Sequence, residues 1–222
     1  FFTDRGFMYW LNVYEIPEGS RTGKGKAIVN MIKVEPGEKI RAMLTVHPEE
    51  FEEPNKYIVM ASRRGYIKKT ALSLFRNLRR TGLRALIIEE DDDLIGAAVS
   101  ADGDEILLST RLGMACRFDQ TDEQIRPMGR TARGVTGMRF KLAGDDVVAM
   151  EVIREKVDDE LPVADDEEEL SEVEEGVEGD DAPASGSGPE ILVVTTGGMG
   201  KRSFVSTYRK TNRGAKGVAS IR

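Results

Sequence analysis

Basic side chains recur in this sequence at two kinds of position, and both kinds contain glycine. The first kind lies beside a glycine turn and comprises Arg63, Arg64, Lys68, Lys69, Arg111, Arg117, Lys201 and Arg202. The second is an Arg-rich stretch further along the chain and comprises Arg21, Lys24, Lys26, Arg79, Arg80, Arg84, Arg130, Arg133, Arg139, Arg209, Lys210, Arg213 and Lys216. Spaced cationic groups displace counterions from phosphates, and glycines let backbone N–H groups approach them. The pattern predicts a surface for a polyanion such as duplex DNA.

A simpler explanation is that these charges keep the surface soluble and protect strand edges from pairing. Their recurrence at equivalent places favours DNA. The sequence contains no recognition helix that would carry base-reading side chains, so we expect binding with little sequence specificity and a preference for deformable DNA.

Other motifs that could suggest catalysis are better explained as structure. GGMGKRS at 197–203 lacks the Ser/Thr and the spaced glycine of a phosphate loop and fits a hairpin turn. The Asp triplet at 91–93 matches other acidic turns, His47 has no Ser or Cys partner, and Cys116 reads as a buried thiol. We therefore predict no catalytic residue and no metal site in this chain.

The elements that position the basic residues form an internal repeat. A strand–turn–strand unit occurs four times, with turn glycines Gly6, Gly65, Gly113 and Gly198, and a second glycine follows each unit at Gly25, Gly82, Gly134 and Gly217. An acidic turn and an apolar strand come next. Four short strands in a repeat of about 50 residues predict an all-β fold of propeller-like, four-stranded blades. Residues 70–78 are the best helical candidate.

Charge divides the chain into three parts. Its net charge is -7, but residues 154–190 hold 16 acids and 2 bases, so the remainder is positive. We predict blades at 1–153, comprising the end of a first blade and two to three complete repeats, a disordered acidic insert at 154–190 and the start of another blade at 191–222. The insert could be only a solvated spacer, and the alternative hypothesis is that it competes with DNA for the basic surface.

Composition excludes several protein classes. One Cys and one His supply neither a disulfide nor a structural zinc site, which indicates a reducing compartment. No apolar run is long enough for a membrane span, and the start lacks both an initiator Met and a signal peptide, as expected for an excised piece. Tyr9, Trp10 and Tyr14 occupy places where other repeats carry Lys or Arg, and we expect them to pack rather than to stack on bases.

Several unlike motifs in one order resemble the C-terminal domain of the DNA gyrase A protein. They are RGFMYWLNVYEIPEGSRTGKGKAIVNM, GYIKKTALSLFRNLRRTGLRALI, DDDLIGA, IRPMGRTARGVTGMRF and GMGKRSFVSTYRKTNRGAKGVASIR. The resemblance covers the chain except 154–190. It implies a β-pinwheel whose blades exchange strands, here an incomplete ring of about four repeats, with DNA bent around the basic outer edge.

The resemblance also implies a role in a type IIA topoisomerase. The domain would wrap duplex DNA so that gyrase, an A2B2 assembly, introduces negative supercoils with ATP and Mg²⁺ bound on the gyrase B protein, in the bacterial cytoplasm at the nucleoid. The chain itself would hold no cofactor. The Gln-Arg-Arg-Gly-Gly-Lys-Gly box of the first blade does not occur in it. Two alternatives stay open, namely the DNA-choice domain of topoisomerase IV and a propeller that binds proteins.

Overall fold

A computed structural model describes residues 1–77, 81–154 and 188–221. Its contacts divide the chain into one unit of Phe1–Arg154 with Tyr208–Arg222 and a second of Glu155–Thr207. The predicted acidic insert lies outside the described residues for 155–187, as do Arg79 and Arg80. Among the described residues, no helix is long and apolar enough to cross a membrane.

The first unit contains three four-stranded antiparallel sheets. The first sheet orders β3 (Ile40–Ala42), β1 (Phe2–Thr3), β2 (Phe7–Met8) and β6 (Leu83–Arg84). The second orders β10 (Val135–Thr136), β5 (Tyr66–Ala71), β4 (Lys56–Ser62) and β7 (Leu94–Ala101). The third orders β11 (Val147–Ile153), β8 (Glu105–Thr110), β9 (Met114–Asp119) and β14 (Val218–Ala219).

The second unit contains the hairpin of the fourth repeat. Strands β12 (Glu190–Val194) and β13 (Gly200–Phe204) pair antiparallel in register from Glu190 opposite Phe204 to Val194 opposite Gly200. The turn between them contains Gly198 at φ 83°. The segment GGMGKRS is therefore a hairpin, as predicted.

Each four-stranded sheet takes its last strand from the following repeat. Strand β6 of the second repeat pairs with β2, β10 of the third pairs with β5, and β14 of the fourth pairs with β9. At the other side of the sheets, β3 contacts β7 and β7 contacts β11. The exchanged strands therefore lie on the edge opposite to these blade-to-blade contacts. The expectation of an all-β, propeller-like β-pinwheel of four-stranded blades is confirmed.

The core fills the spaces between successive sheets. Strand β4 has buried side chains on both faces, because Ile58 and Met60 belong to one apolar cluster and Val59 and Ala61 to the next. A strand covered on both sides reads as a continuous apolar run, which is why YIVMA shows no alternation of polar residues. Cys116 is fully buried in the second cluster, and burial raises the pKa of its thiol.

Glycine is required where the exchanged segment crosses the hairpin. Gly65 has φ 82°, and a Cβ there would lie 2.6 Å from the carbonyl oxygen of Met138. Gly134 has φ 100°, and its Cβ would lie 2.5 Å from the carbonyl oxygen of Ile67. The Gly65 carbonyl also accepts the N–H groups of Gly137 and Met138. The paired glycines of the repeat thus permit the backbone contact that holds each exchanged strand.

The helical candidate at 70–78 was wrong in extent. Strand β5 continues to Ala71, and only a 3-10 turn at Leu72–Phe75 follows it. Similar 3-10 turns occur at Val13–Glu15 and Val205–Thr207, each beginning seven residues after a turn glycine. The turn is therefore an element of the repeat and not a feature of the second repeat alone.

Candidate nucleic-acid interface

Two basic surfaces of the first unit differ in their acidic neighbours. The exchange edge is our name for the segments that contain or lead into the exchanged strands, namely residues 81–84, 126–139 and 209–219. The turn edge is our name for the hairpin turns 63–65 and 111–113 together with the acidic turns 89–93 and 144–146. The exchange edge contains no Asp or Glu, whereas the turn edge contains seven. The turn edge therefore supplies carboxylates beside its own arginines, and the exchange edge supplies none.

Six cations of the exchange edge have neither an ion pair nor a side-chain hydrogen bond among the described residues. They are Arg84, Arg126, Arg130, Arg139, Arg209 and Lys216; all are exposed except Arg130, which is half-buried. The sequence analysis did not include Arg126, although Arg126 begins the same acid-free stretch that contains Arg130. The guanidinium of Arg84 lies over the ring of Phe7, 4.3 Å from its centroid, which orients it at the surface.

Three predicted residues of this edge are already engaged. Arg133 stacks on Tyr66 at 3.9 Å and pairs with Glu89 at 2.6 Å. Arg213 donates to the carbonyl oxygens of Gln124 and, at 3.3 Å, Thr136. These contacts join neighbouring repeats. Both side chains therefore hold the segments of the exchange edge in place.

The third engaged residue, Lys210, belongs to a small charge network. Its Nζ lies 2.6 Å from Glu105 and 2.8 Å from Asp119, and Arg117 also pairs with Glu105. Burial alone raises the pKa of Glu105, but hydrogen bonds from Arg117 and Lys210 outweigh it and hold that pKa below its ordinary value. Hydrogen bonds to Asp119 and Glu105 raise the pKa of Lys210. Arg117 also donates to the carbonyl oxygen of Tyr208 at 3.1 Å, so it is a structural group.

The turn edge neutralises its arginines. Arg63 lies between two blades and pairs with Asp93 at 3.3 Å and with Asp146 of the next blade at 3.2 Å. Arg64 pairs with Asp91 at 2.7 Å, and Arg111 pairs with Asp146 at 2.8 Å. A phosphate approaching these side chains would have to displace carboxylates, which weakens any gain from binding there.

The acidic turns also organise the hairpin turns. A carboxylate oxygen of Asp92 accepts the backbone N–H of Arg64 at 2.9 Å, and Asp145 accepts that of Leu112 at 3.0 Å. The Asp triplet at 91–93 is thus occupied by backbone and arginine donors. The part of the chain that the structure describes contains no group of three His, Cys, Asp or Glu side chains suited to a metal ion.

Lys68 and Lys69, predicted as DNA ligands, are instead fully buried. Consecutive strand residues face opposite sides, and the sequence analysis placed both lysines at the DNA-binding surface. Strand β5 is covered on both sides because the segments around β6 and β10 cross it. Lys69 donates to the carbonyl oxygen of Gln120 at 2.9 Å and to Asp122 at 2.8 Å. Neither lysine can reach a phosphate.

The remaining predicted residues lie outside these two edges. Arg21, Lys24 and Lys26 are exposed in the 17–27 segment, which forms no strand in the structure. Lys201 and Arg202 are exposed on the hairpin of the second unit, where Arg202 pairs with Glu190 at 3.1 Å. Their role in binding stays a prediction.

The three aromatic residues of the first repeat behave differently from one another. Tyr9 is buried, and Trp10 donates its indole N–H to the carbonyl oxygen of Phe75 at 3.2 Å while meeting Phe51 edge-on at 5.3 Å. Both therefore pack, as predicted. Tyr14 is 85% exposed, so the prediction of packing is wrong for this residue.

Comparisons with known proteins agree with this architecture. A family model described as "DNA gyrase C-terminal domain, beta-propeller" matches residues 1–47, 56–101, 104–154 and 189–222. The DNA gyrase A protein of Chlamydia pneumoniae is 38% identical over 99% of this chain and 22% of that protein. The DNA gyrase A protein of Synechocystis sp. is 35% identical over all of this chain and 25% of that protein. The chain thus spans about a quarter or less of these relatives.

Solved structures show the same fold. The C-terminal domain of DNA topoisomerase IV matches with a TM-score of 0.72 at 24% identity, over 98% of this chain and 56% of that one. The C-terminal domain of DNA gyrase A matches with a TM-score of 0.69 at 21% identity, over 98% and 57%.

Proposed function

This chain belongs to the DNA gyrase C-terminal domain family, and from that premise we propose that it binds and bends duplex DNA along its exchange edge. Wrapping by this domain would support the ATP-dependent negative supercoiling carried out by DNA gyrase. Strand cleavage and ATP hydrolysis would belong to the rest of the gyrase A protein and to the gyrase B protein, its partners in the assembly. ATP and Mg²⁺ would bind on the gyrase B protein, and the enzyme would act on the bacterial nucleoid in the cytoplasm.

The observation that supports the proposal best is the acid-free exchange edge. Six cations there have neither a carboxylate nor a hydrogen-bond acceptor for their side chains among the described residues, so phosphates would meet side chains that need not first release a partner. Each phosphate neutralised releases counterions, which makes such binding strong at low salt and steeply salt-dependent.

Little sequence specificity is expected of this surface. The helices of the described residues are 3-10 turns of three to five residues, too short to present a face to the major groove. Arginines on successive blades would instead contact the backbone of a curved duplex, and the cost of bending would favour deformable sequences.

Two other functions are less well supported. The relatives that match along this chain at 35–38% identity are gyrase proteins, which favours gyrase over topoisomerase IV. A protein-binding propeller would use an apolar surface and would bind with little salt dependence, whereas the exchange edge carries charge.

The proposal is tested by titrating a 40-base-pair duplex with the 222-residue chain across a salt series. We expect log K to fall steeply with log salt, by about 0.9 for each phosphate contacted. The same titration on a chain lacking 155–187 examines the acidic insert, and tighter binding is expected if it competes with DNA. A folded chain with weak binding and a flat salt slope would refute DNA binding at this edge. Unchanged affinity after the deletion would refute only the competition.

A further inference from the structure

Lys68 and Lys69 are the two fully buried charged side chains of the described residues, and of the two only Lys68 has no carboxylate partner there. Lys68 lies on β5, is 0% exposed, and the three N–H groups of its ammonium are shared among four backbone carbonyl oxygens. These belong to Ala85 at 2.6 Å, Gly129 at 3.0 Å, Arg130 at 2.6 Å and Ala132 at 3.2 Å. No carboxylate pairs with Lys68 among the described residues, so its charge is balanced by carbonyl dipoles alone.

The lysine and its four acceptors come from three different segments of the chain. Lys68 itself belongs to the hairpin of the second blade, Ala85 follows the exchanged strand β6, and residues 129–132 form the loop that leads into β10. One side chain therefore holds two exchanged segments against one hairpin. The 129–132 loop forms no strand or helix; its backbone is held by the bond from Ala132 N–H to the Gly129 carbonyl and by that from Ile87 N–H to the Ala132 carbonyl, and Lys68 adds its contacts with three carbonyl oxygens of the loop.

The loop held in this way carries Arg130. That arginine has no ion pair among the described residues and belongs to the exchange edge, while its own carbonyl oxygen is bonded to Lys68. Arg126 and Arg133, on either side, are fixed by other means. Pro127 forms a bridge with Lys69, and Arg133 stacks on Tyr66. Arg130 is thus the cation whose position depends most on Lys68.

We infer that Lys68 is a positioning residue for DNA binding: it does not touch DNA but fixes the 129–132 loop so that Arg130 meets a backbone phosphate. The inference rests on the function proposed above. Burial, with a smaller contribution from the charge of Arg130, lowers the pKa of Lys68 to about 8. The ammonium nevertheless remains the dominant form at pH 7, so it can donate hydrogen bonds to the carbonyl oxygens of the loop at that pH.

The test is a double-mutant cycle on the 222-residue chain with a 40-base-pair duplex. Lys68→Met removes the charge and keeps the length of the side chain, and Arg130→Gln removes the phosphate contact. Each single variant should weaken binding at 0.1 M salt by about five- to tenfold and lower the salt slope by about one unit, as for one lost phosphate contact. The double variant should bind no more than about twofold weaker than either single variant, because the two residues act through one contact.

Lys69→Met is the matched control. It also neutralises a fully buried lysine of β5, but the groups it releases, Gln120 and Asp122, carry no positive charge. Its affinity and salt slope should stay close to those of the unaltered chain. A purely structural role for Lys68 would lower the melting temperature in both lysine variants and leave the slope unchanged in both.

The outcomes separate the inference from the proposed function. If the unaltered chain shows no salt-dependent binding, the proposed function fails. If it binds with a steep slope but Lys68→Met binds equally well, or if the losses from Lys68→Met and Arg130→Gln add, the inference alone is overturned. Should Lys68→Met fail to fold by circular dichroism, Lys68→Gln takes its place in the same cycle, because its amide still donates two hydrogen bonds.

Discussion

The exchange edge and the turn edge both carry arginines, but these arginines differ in whether they pair with carboxylates. On the turn edge Arg63, Arg64 and Arg111 face carboxylates and join elements of the fold. On the exchange edge Arg84, Arg130 and Arg139 have no such partner among the described residues. The content of nearby acids, rather than the count of basic residues, therefore distinguishes the surface that we propose for DNA binding from the one whose arginines are paired.

The largest expected effect comes from removing three charges from the exchange edge, compared with removing three from the turn edge. Arg130→Gln, Arg139→Gln and Arg209→Gln together should lower the salt slope by nearly three units and the affinity for a 40-base-pair duplex at 0.1 M salt by about two to three orders of magnitude. Arg63→Gln, Arg64→Gln and Arg111→Gln remove the same charge from the turn edge. They should change the affinity by less than about fivefold and mainly lower stability. Equal losses of affinity in the two triple variants would contradict the comparison.

A smaller effect is expected from disturbing the strand that builds the exchange edge. Gly134→Ala places a Cβ against the carbonyl oxygen of Ile67 at a backbone angle that favours glycine, and should lower the free energy of unfolding by about 2–4 kcal/mol. Chemical denaturation measures this loss. Gly144→Ala, on the turn edge at φ 77° with open space around it, is the control and should cost about 1 kcal/mol. Equal costs would mean that close backbone contact does not fix β10.

The smallest effect concerns pH. The pKa of Glu105 is lower in the folded chain than in the unfolded one, so its contribution to stability is present above the unfolded pKa and is lost as pH falls through the folded pKa. The network is partly exposed, and we expect under about 1 kcal/mol between pH 6 and pH 3. Glu105→Gln should reduce the decline of stability over this range, as measured by urea unfolding. An identical decline in both chains would show that other carboxylates account for it.

Much of the fold could be predicted from the spacing of glycines. Gly65 and Gly134 mark a hairpin turn and the segment that crosses it, and both have the positive φ that a recurring glycine indicates. The exchange of strands came only from the resemblance to a known family. Pairings such as that of Val135 with Ile67 are invisible to local pattern, because they join residues far apart in sequence.

The surroundings of the basic side chains were predicted less well than the fold. Residue type identifies Arg130 as a cation but does not reveal whether a carboxylate lies beside it, and this is why Arg64 was grouped with it. Lys68 and Lys69 were predicted at the surface because they lie beside the turn glycine Gly65, at a place where basic residues recur in the repeat. Their burial follows from segments distant in sequence that cover both faces of β5.

Strand exchange delays the completion of each sheet while the chain is being translated. The second sheet has three of its strands once Ala101 has been synthesised but lacks its fourth until Val135 and Thr136 emerge, about 2–7 seconds later at ordinary rates of translation. During that interval the outer side of β5 presents unpaired backbone groups. For the third sheet the delay is longer, since the acidic stretch separates β11 from β14. None of these three sheets is therefore complete before part of the next repeat has been translated, because each new repeat supplies the strand that closes the blade before it.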